Sequence, residues 1–269
     1  MLGKDLPLIR LGTGEKEVFY SGSIHANEWI NSVVLMKFIE NYAKAYEKDE
    51  KIGNINAREL FEKTSIYIAP MTNPDGVDLV LWQLPQNSRA FVNAKSIASG
   101  FPNIPFPNGW KANILGVDLN LQFPAEWEKA REIKFQQGFV RPAPRDFVGY
   151  RPLSEPESKA LYELTLNHDF DLILAYHTQG KVIYWRYLNI EPEGAEALGK
   201  EFSRVSGYML DSQSDNESYA GYRDFFIKEF HMPGYTIETG EGQNPLPITQ
   251  FEQIYRDNIG ILISAANSK

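Results

Sequence analysis

The segment FYSGSIHANEW places His25 and Glu28 three residues apart, where an apolar run ends and a helical pattern begins. That spacing puts both side chains on one side of a first helical turn, able to reach a single ion. A third candidate, His177, closes the strongly apolar run DLILAYH and is followed by the turn-like TQG. Strand ends at the edge of an α/β sheet are where such folds place their active sites. Two histidines, one carboxylate and an open position taken by water make the ligand set of a catalytic zinc. Taken singly, each residue also has a plainer reading. His25 and Glu28 suit a polar helix start, and His177 suits a hydrogen-bonded histidine at the rim of the core. The HExxH form of the set is absent, and His168 and His231 fall in surface or loop segments.

The chemistry must come from such residues, because the 269-residue chain has no cysteine. That removes a thiol nucleophile, a thiolate zinc knuckle and an iron–sulfur cluster. A net charge of -8, with Lys and Arg scattered among the acids, argues against a nucleic-acid partner. No apolar stretch approaches the ~20 residues of a membrane span. The opening MLGKDLPLIRLG lacks the continuous apolar segment of a signal peptide.

The elements that must position these residues follow an α/β pattern of short apolar runs alternating with helices. Strands are expected at Val18–Ile24, Ser65–Pro70, Asp171–His177, Lys181–Tyr187 and Tyr235–Glu238, several of them apolar on both faces. Ile30, Val33, Val34, Phe38 and Tyr42 recur at helical spacing between Trp29 and Tyr46. Capping-box patterns, Ser154 with Glu157 and Thr249 with Glu252, open two more helices, and Glu193–Gly207 reads as another. Between 100 and 153 the texture becomes rich in proline, glycine and aromatics, as expected of long loops that wall a cleft. With no linker or charge run dividing the chain, residues 1–269 read as one domain.

These residues resemble the zinc carboxypeptidase family related to carboxypeptidase A, over nearly the whole chain. SGSIHANEW is similar to the first ligand motif, TNPDGV to the Asn-Pro-Asp-Gly turn and GVDLN to the substrate-binding segment. AYHTQG is similar to the second histidine motif and YTIETG to the strand bearing the catalytic glutamate, all in the family's order. The resemblance implies an α/β fold with a mixed, twisted sheet of about eight strands flanked by helices. It assigns one zinc ion to His25, Glu28 and His177, the general base to Glu238, and a carboxylate fixing the first histidine ring to Asp118. Arg89, thirteen residues beyond Gly76, lies near the family's carbonyl-polarising arginine. Asn120 matches an asparagine that holds the substrate's carboxylate, and the SYAGYRD segment offers Tyr219 or Tyr222 as a phenol in the cleft.

Two departures reshape the implied substrate. The family usually follows that asparagine with an arginine, whereas this chain reads Asn120-Leu121, and leucine cannot form the bidentate ion pair that fixes a terminal carboxylate. Asp224 lies fourteen residues before Glu238, a separation the family shares, and the residue preceding it faces the pocket for the leaving residue. Here that residue is Arg223, which favours an acidic group. GVDLNLQFPAEWE resembles bacterial relatives that cleave γ-D-glutamyl–diaminopimelate bonds of peptidoglycan stem peptides, and diaminopimelate carries such an acid. The expected partner is therefore a muropeptide. The competing readings are a conventional carboxypeptidase and, in another class, an inactive module that binds wall peptides.

Overall fold

The computed structural model describes residues 2–211 and 219–268. Nine strands occur among them: β1 Ile9–Leu11, β2 Lys16–Gly22, β3 Lys51–Ile52, β4 Ile55–Asn56, β5 Thr64–Ala69, β6 Phe170–His177, β7 Val182–Tyr184, β8 Met209–Asp211 and β9 Gly234–Glu238. The helices are α1 Ile30–Lys48, α2 Ala57–Lys63, α3 Pro74–Val80, α4 Arg89–Ser99, α5 Trp127–Gln136, α6 Pro156–Leu166, α7 Ala195–Ser206, α8 Tyr222–Phe230 and α9 Phe251–Asn267. Apart from the small β3–β4 hairpin, the strands form a seven-stranded mixed sheet in the order β1-β5-β2-β6-β9-β7-β8. The four central strands run parallel, while β1 and β7 pair antiparallel to their neighbours β5 and β9.

Parallel strands need both faces covered, since their crossover helices lie on both sides. Val18, Tyr20, Ile68, Leu174 and Ile237 pack with α1, α7 and α9 on one face. Phe19, Tyr67, Ile173 and Ala175 pack with α5, α6 and α8 on the other. From β2 the chain winds outward to β5 on one side, and later to β6 and β9 on the other. A crevice forms at the carboxyl ends of strands where the winding reverses. His25, three residues past β2, and His177, the last residue of β6, meet there.

Each expected strand is present within a residue or two, except that Lys181–Tyr187 shortens to Val182–Tyr184. The sheet has seven strands rather than about eight. Neither capping box forms. Glu155 precedes α6 without a side-chain cap, because the hydroxyl and amide of Ser154 are both spent on Gln122 Oε1. Thr249 lies inside a 3-10 turn, Ile248–Gln250, that delays α9 to Phe251. The proline-rich stretch is irregular as expected, apart from α5 and a 3-10 turn at Leu119–Leu121.

Candidate active site

Glu28 closes a single 3-10 turn, Ala26–Glu28, with His25 as its N-cap residue, rather than lying in the following α-helix. This turn is fixed from below by the Asn-Pro-Asp-Gly segment. Asn73 caps α3 by accepting from the Gly76 amide, and its Nδ2 donates to the carbonyls of Ile24 and Ala112. The Ala26 amide donates to Lys111 O at 2.9 Å, closing the clamp. Gly76 must be glycine here: a Cβ would lie 2.8 Å from Ala112 O and 2.9 Å from Ala26 Cβ.

The three metal-ligand candidates converge. One ligand atom from each of His25, Glu28 and His177 lies within 4.8 Å of the others, and all three residues are buried. Glu28 Oε1 is 2.9 Å from His25 Nδ1, and Oε2 is 3.0 Å from His177 Nδ1. The two Nδ1 atoms face each other at 3.2 Å. Asp118 Oδ1 lies 3.2 Å from His25 Nε2, so that nitrogen carries the ring proton and Nδ1 turns a lone pair inward. Lone pairs aimed at one another across such short gaps suit a shared divalent cation, and the N,N,O donor set is that of catalytic zinc.

Electrostatics follow from the crowding. Burial pushes the His25 imidazolium down, but Glu28 and Asp118 outweigh it and raise its pKa to about 9. Burial dominates at His177, which also feels His25 and Lys111, and its pKa falls. Despite burial, the two histidines and Lys111 hold Glu28 well below the usual carboxylate range.

Glu238 ends β9 directly beside His177 in the parallel register and opposite Val182 of β7. Among the described residues no hydrogen bond reaches its carboxylate, which is partly covered. Burial and the Glu28 charge raise its pKa to about 8, against the pull of Lys111, His25 and Arg223. An uncommitted carboxylate beside a metal set is suited to proton transfer.

The remaining expected residues divide. Asp118 is shared, with Oδ2 accepting from the Asp146 amide at 3.1 Å. Asn120 Oδ1 accepts from the Tyr222 amide. Arg223 is buried, with Nε and Nη2 on Asp224 Oδ1 and its guanidinium 5.7 Å from the Tyr184 ring. Tyr222 is a core residue whose hydroxyl bonds to Thr165 Oγ1 at 2.8 Å. Tyr219 is buried beneath Lys129, while Ser218 of the same segment lies outside the described residues. Arg89 stands exposed at the first position of α4 and does not join this group.

The cation brought to the site is one that sequence reasoning missed. Lys111 Nζ lies 3.2 Å from Glu28 Oε1. Burial disfavours its charge, but Glu28 and Asp118 more than restore it, and its pKa rises. Its only sequence signal is the tryptophan–lysine pair seven residues before Asp118, which carries no spacing rule. Lys111 also lines a cleft of about 790 Å³ with Asn27, Asn108, Arg145, Gln179 and Asn244. Among the described residues no helix is long and apolar enough to cross a membrane.

Comparison with known proteins agrees with this geometry. The family model described as zinc carboxypeptidase matches residues 3–260. The chain is 44% identical over 264 residues to gamma-D-glutamyl-L-diamino acid endopeptidase 1 of Lysinibacillus sphaericus, covering 98% of this chain and 64% of that protein. It is 43% identical over 267 residues to the uncharacterized protein YqgT of Bacillus subtilis (strain 168), covering 97% and 68%. The chain thus spans about two thirds of the length of these relatives. Among solved structures, thrombin-activatable fibrinolysis inhibitor superposes with a TM-score of 0.71 at 18% identity, over 96% of this chain and 64% of that one. The murein-tripeptide amidase MpaA of Escherichia coli O157 gives 0.60 at 18%, over 98% and 88%. At these identities the structural likeness is one of fold.

Proposed function

The chain belongs to the zinc carboxypeptidase family, with His25, Glu28 and His177 as its zinc-binding triad, and from that premise we propose that it hydrolyses the γ-D-glutamyl–diaminopimelate bond of peptidoglycan stem peptides. The observation that carries this reading is 44% identity across 98% of the chain to an endopeptidase named for that class of bond, alongside an intact triad. Leu121 in place of a carboxylate-gripping arginine supports it further. Residues 1–269 act as one catalytic domain in this reading.

His25, Glu28 and His177 would hold the zinc, whose Lewis acidity would polarise the scissile carbonyl and lower the pKa of the attacking water toward roughly 7. Glu238 accepts a proton from that water on its carboxylate and hands it to the leaving amine. Its place beside His177 in the β6–β9 register supports that role. Lys111 faces the charge that develops on the carbonyl oxygen, the role expected of Arg89. Asp118 holds the His25 ring and its tautomer. On the leaving side, Asn120 Nδ2 and Arg223 bind the carboxylates of diaminopimelate.

The test is incubation of zinc-loaded protein with L-Ala-γ-D-Glu-meso-diaminopimelate, with products read by mass spectrometry. Release of free diaminopimelate, abolished by a chelator, is expected. An intact tripeptide together with cleavage of a blocked C-terminal dipeptide would establish conventional carboxypeptidase activity instead.

A further inference from the structure

We propose that Arg145 reads the acyl side of the substrate, its guanidinium binding the free α-carboxylate of the γ-linked D-glutamyl residue. The inference rests on the stem-peptide reading above. Its starting point is a charge imbalance. The chain has 35 acidic residues against 27 basic ones, yet the cleft lining among the described residues includes Lys111 and Arg145 and no carboxylate. Amide, small and apolar side chains supply the rest. Lys111 lies against Glu28 and, in that reading, faces the scissile carbonyl, which leaves Arg145 as the cleft cation for a second anionic group.

Its geometry is that of a held donor. Arg145 Nε donates to Asp146 Oδ2 at 2.7 Å, and among the described residues its terminal nitrogens have no partner. Asp146 is also gripped by Lys134 Nζ at 2.6 Å, so its charge is divided between two cations. The backbone on either side is pinned to the segment from Lys111 to Asp118, which holds the His25 ring. The amides of Lys111 and Ala112 both donate to Pro144 O, at 2.8 and 3.0 Å, and the Asp146 amide donates to Asp118 Oδ2. The carboxylate that orients the His25 ring therefore also sets the position of the Arg145 loop. A guanidinium tethered through Nε presents its two terminal amino groups as the fork that pairs with a carboxylate.

The substrate supplies the matching group. In a γ-linked glutamyl residue, the scissile carbonyl is separated by two methylenes from the carbon that bears a free carboxylate. An ordinary α-linked peptide has no backbone carboxylate there. Arg145 thus distinguishes the γ-linkage, which neither the triad nor Glu238 can do.

The experiment compares L-Ala-γ-D-Glu-meso-diaminopimelate with its D-isoglutaminyl analogue, whose α-carboxylate is an amide, in the zinc-loaded full chain. The natural chain is expected to prefer the free acid by roughly 10- to 100-fold in kcat/KM, the range for a charged hydrogen bond. Arg145→Ala should cut both equally, at about the natural rate on the amide, while Arg145→Lys should recover part of the preference. Equal cleavage of both peptides by the natural chain, or an undiminished preference in Arg145→Ala, overturns the proposal. Calorimetric titration with L-Ala-D-Glu and L-Ala-D-isoglutamine separates this from the premise. If neither tripeptide is cut, the stem-peptide reading fails. A binding preference for the acid that Arg145→Ala abolishes would still sustain the anion site, and equal binding of the two dipeptides would remove it.

Discussion

The two halves of the active site are built by different means. On one side, His177 and Glu238 stand at the carboxyl ends of adjacent parallel strands, and the register of β6 against β9 sets their separation. On the other, Lys111, Asp118 and Arg145 sit on irregular chain, located by a few hydrogen bonds to Pro144 O, Asp146 N and the His25 ring. Backbone pairing repeated over five residue pairs tolerates the loss of one contact. A loop fixed by single bonds does not. The sheet half therefore suits chemistry common to a family, and the loop half suits discrimination among substrates.

The largest effect that sharpens this contrast is on the sheet side. Glu238→Gln keeps shape and register while removing the base, so kcat should fall about 10²- to 10⁴-fold with zinc still bound. Stability should move the other way. In the metal-free protein the Glu238 pKa is raised from 4.5 to about 8. A raised pKa contributes stability below the unfolded value and loses it as pH climbs through the folded one. The melting temperature of metal-free Glu238→Gln should therefore match the natural protein near pH 4.5 and exceed it by a growing margin up to pH 9. A margin independent of pH would show that Glu238 does not carry this burial cost.

On the loop side the effect is smaller. Lys111→Ala should lower kcat by roughly 10²- to 10³-fold, the worth of one donor to a developing oxyanion. Arg89→Ala, at an exposed helix start, should stay within about twofold of the natural rate, since surface changes away from a site rarely matter. The reverse order in these two variants would break the comparison.

The same contrast explains what could be read in the sequence. Strand ends announce themselves, because an apolar run that stops at a histidine or glutamate puts that residue at the sheet edge. His177 was legible for that reason and His25 with Glu28 through their spacing, whereas the role expected of Glu238 came from the family resemblance of YTIETG. The sheet core was equally legible from runs that are apolar on both faces. Lys111 and Arg145 were not, because their positions depend on bonds between segments about thirty residues apart, and loop chain has no period to betray it. The thirteen-residue offset from Gly76 leads to the first residue of α4, where Arg89 is exposed. Ser154 misled because a buried glutamine, Gln122, competes for its hydroxyl.

A cleft lining whose charged side chains, among the described residues, are Lys111 and Arg145, in a chain of net charge -8, also shapes how a substrate arrives. An anionic peptide far from the surface meets the repulsion of the whole molecule, and feels Lys111 and Arg145 only at close range. At 0.01 M ionic strength the screening length is ~30 Å and repulsion dominates, whereas at 0.15 M it shrinks to ~8 Å and the local attraction survives. For an anionic stem peptide, kcat/KM should accordingly rise with salt between these concentrations and decline toward ~1 M, where even short-range attraction is screened. A monotonic fall from the lowest salt upward would mean that the cleft governs the approach at every distance. A maximum would mean that ionic strength acts as a gate on encounter, admitting anions to this acidic protein only when its outer field has been shortened.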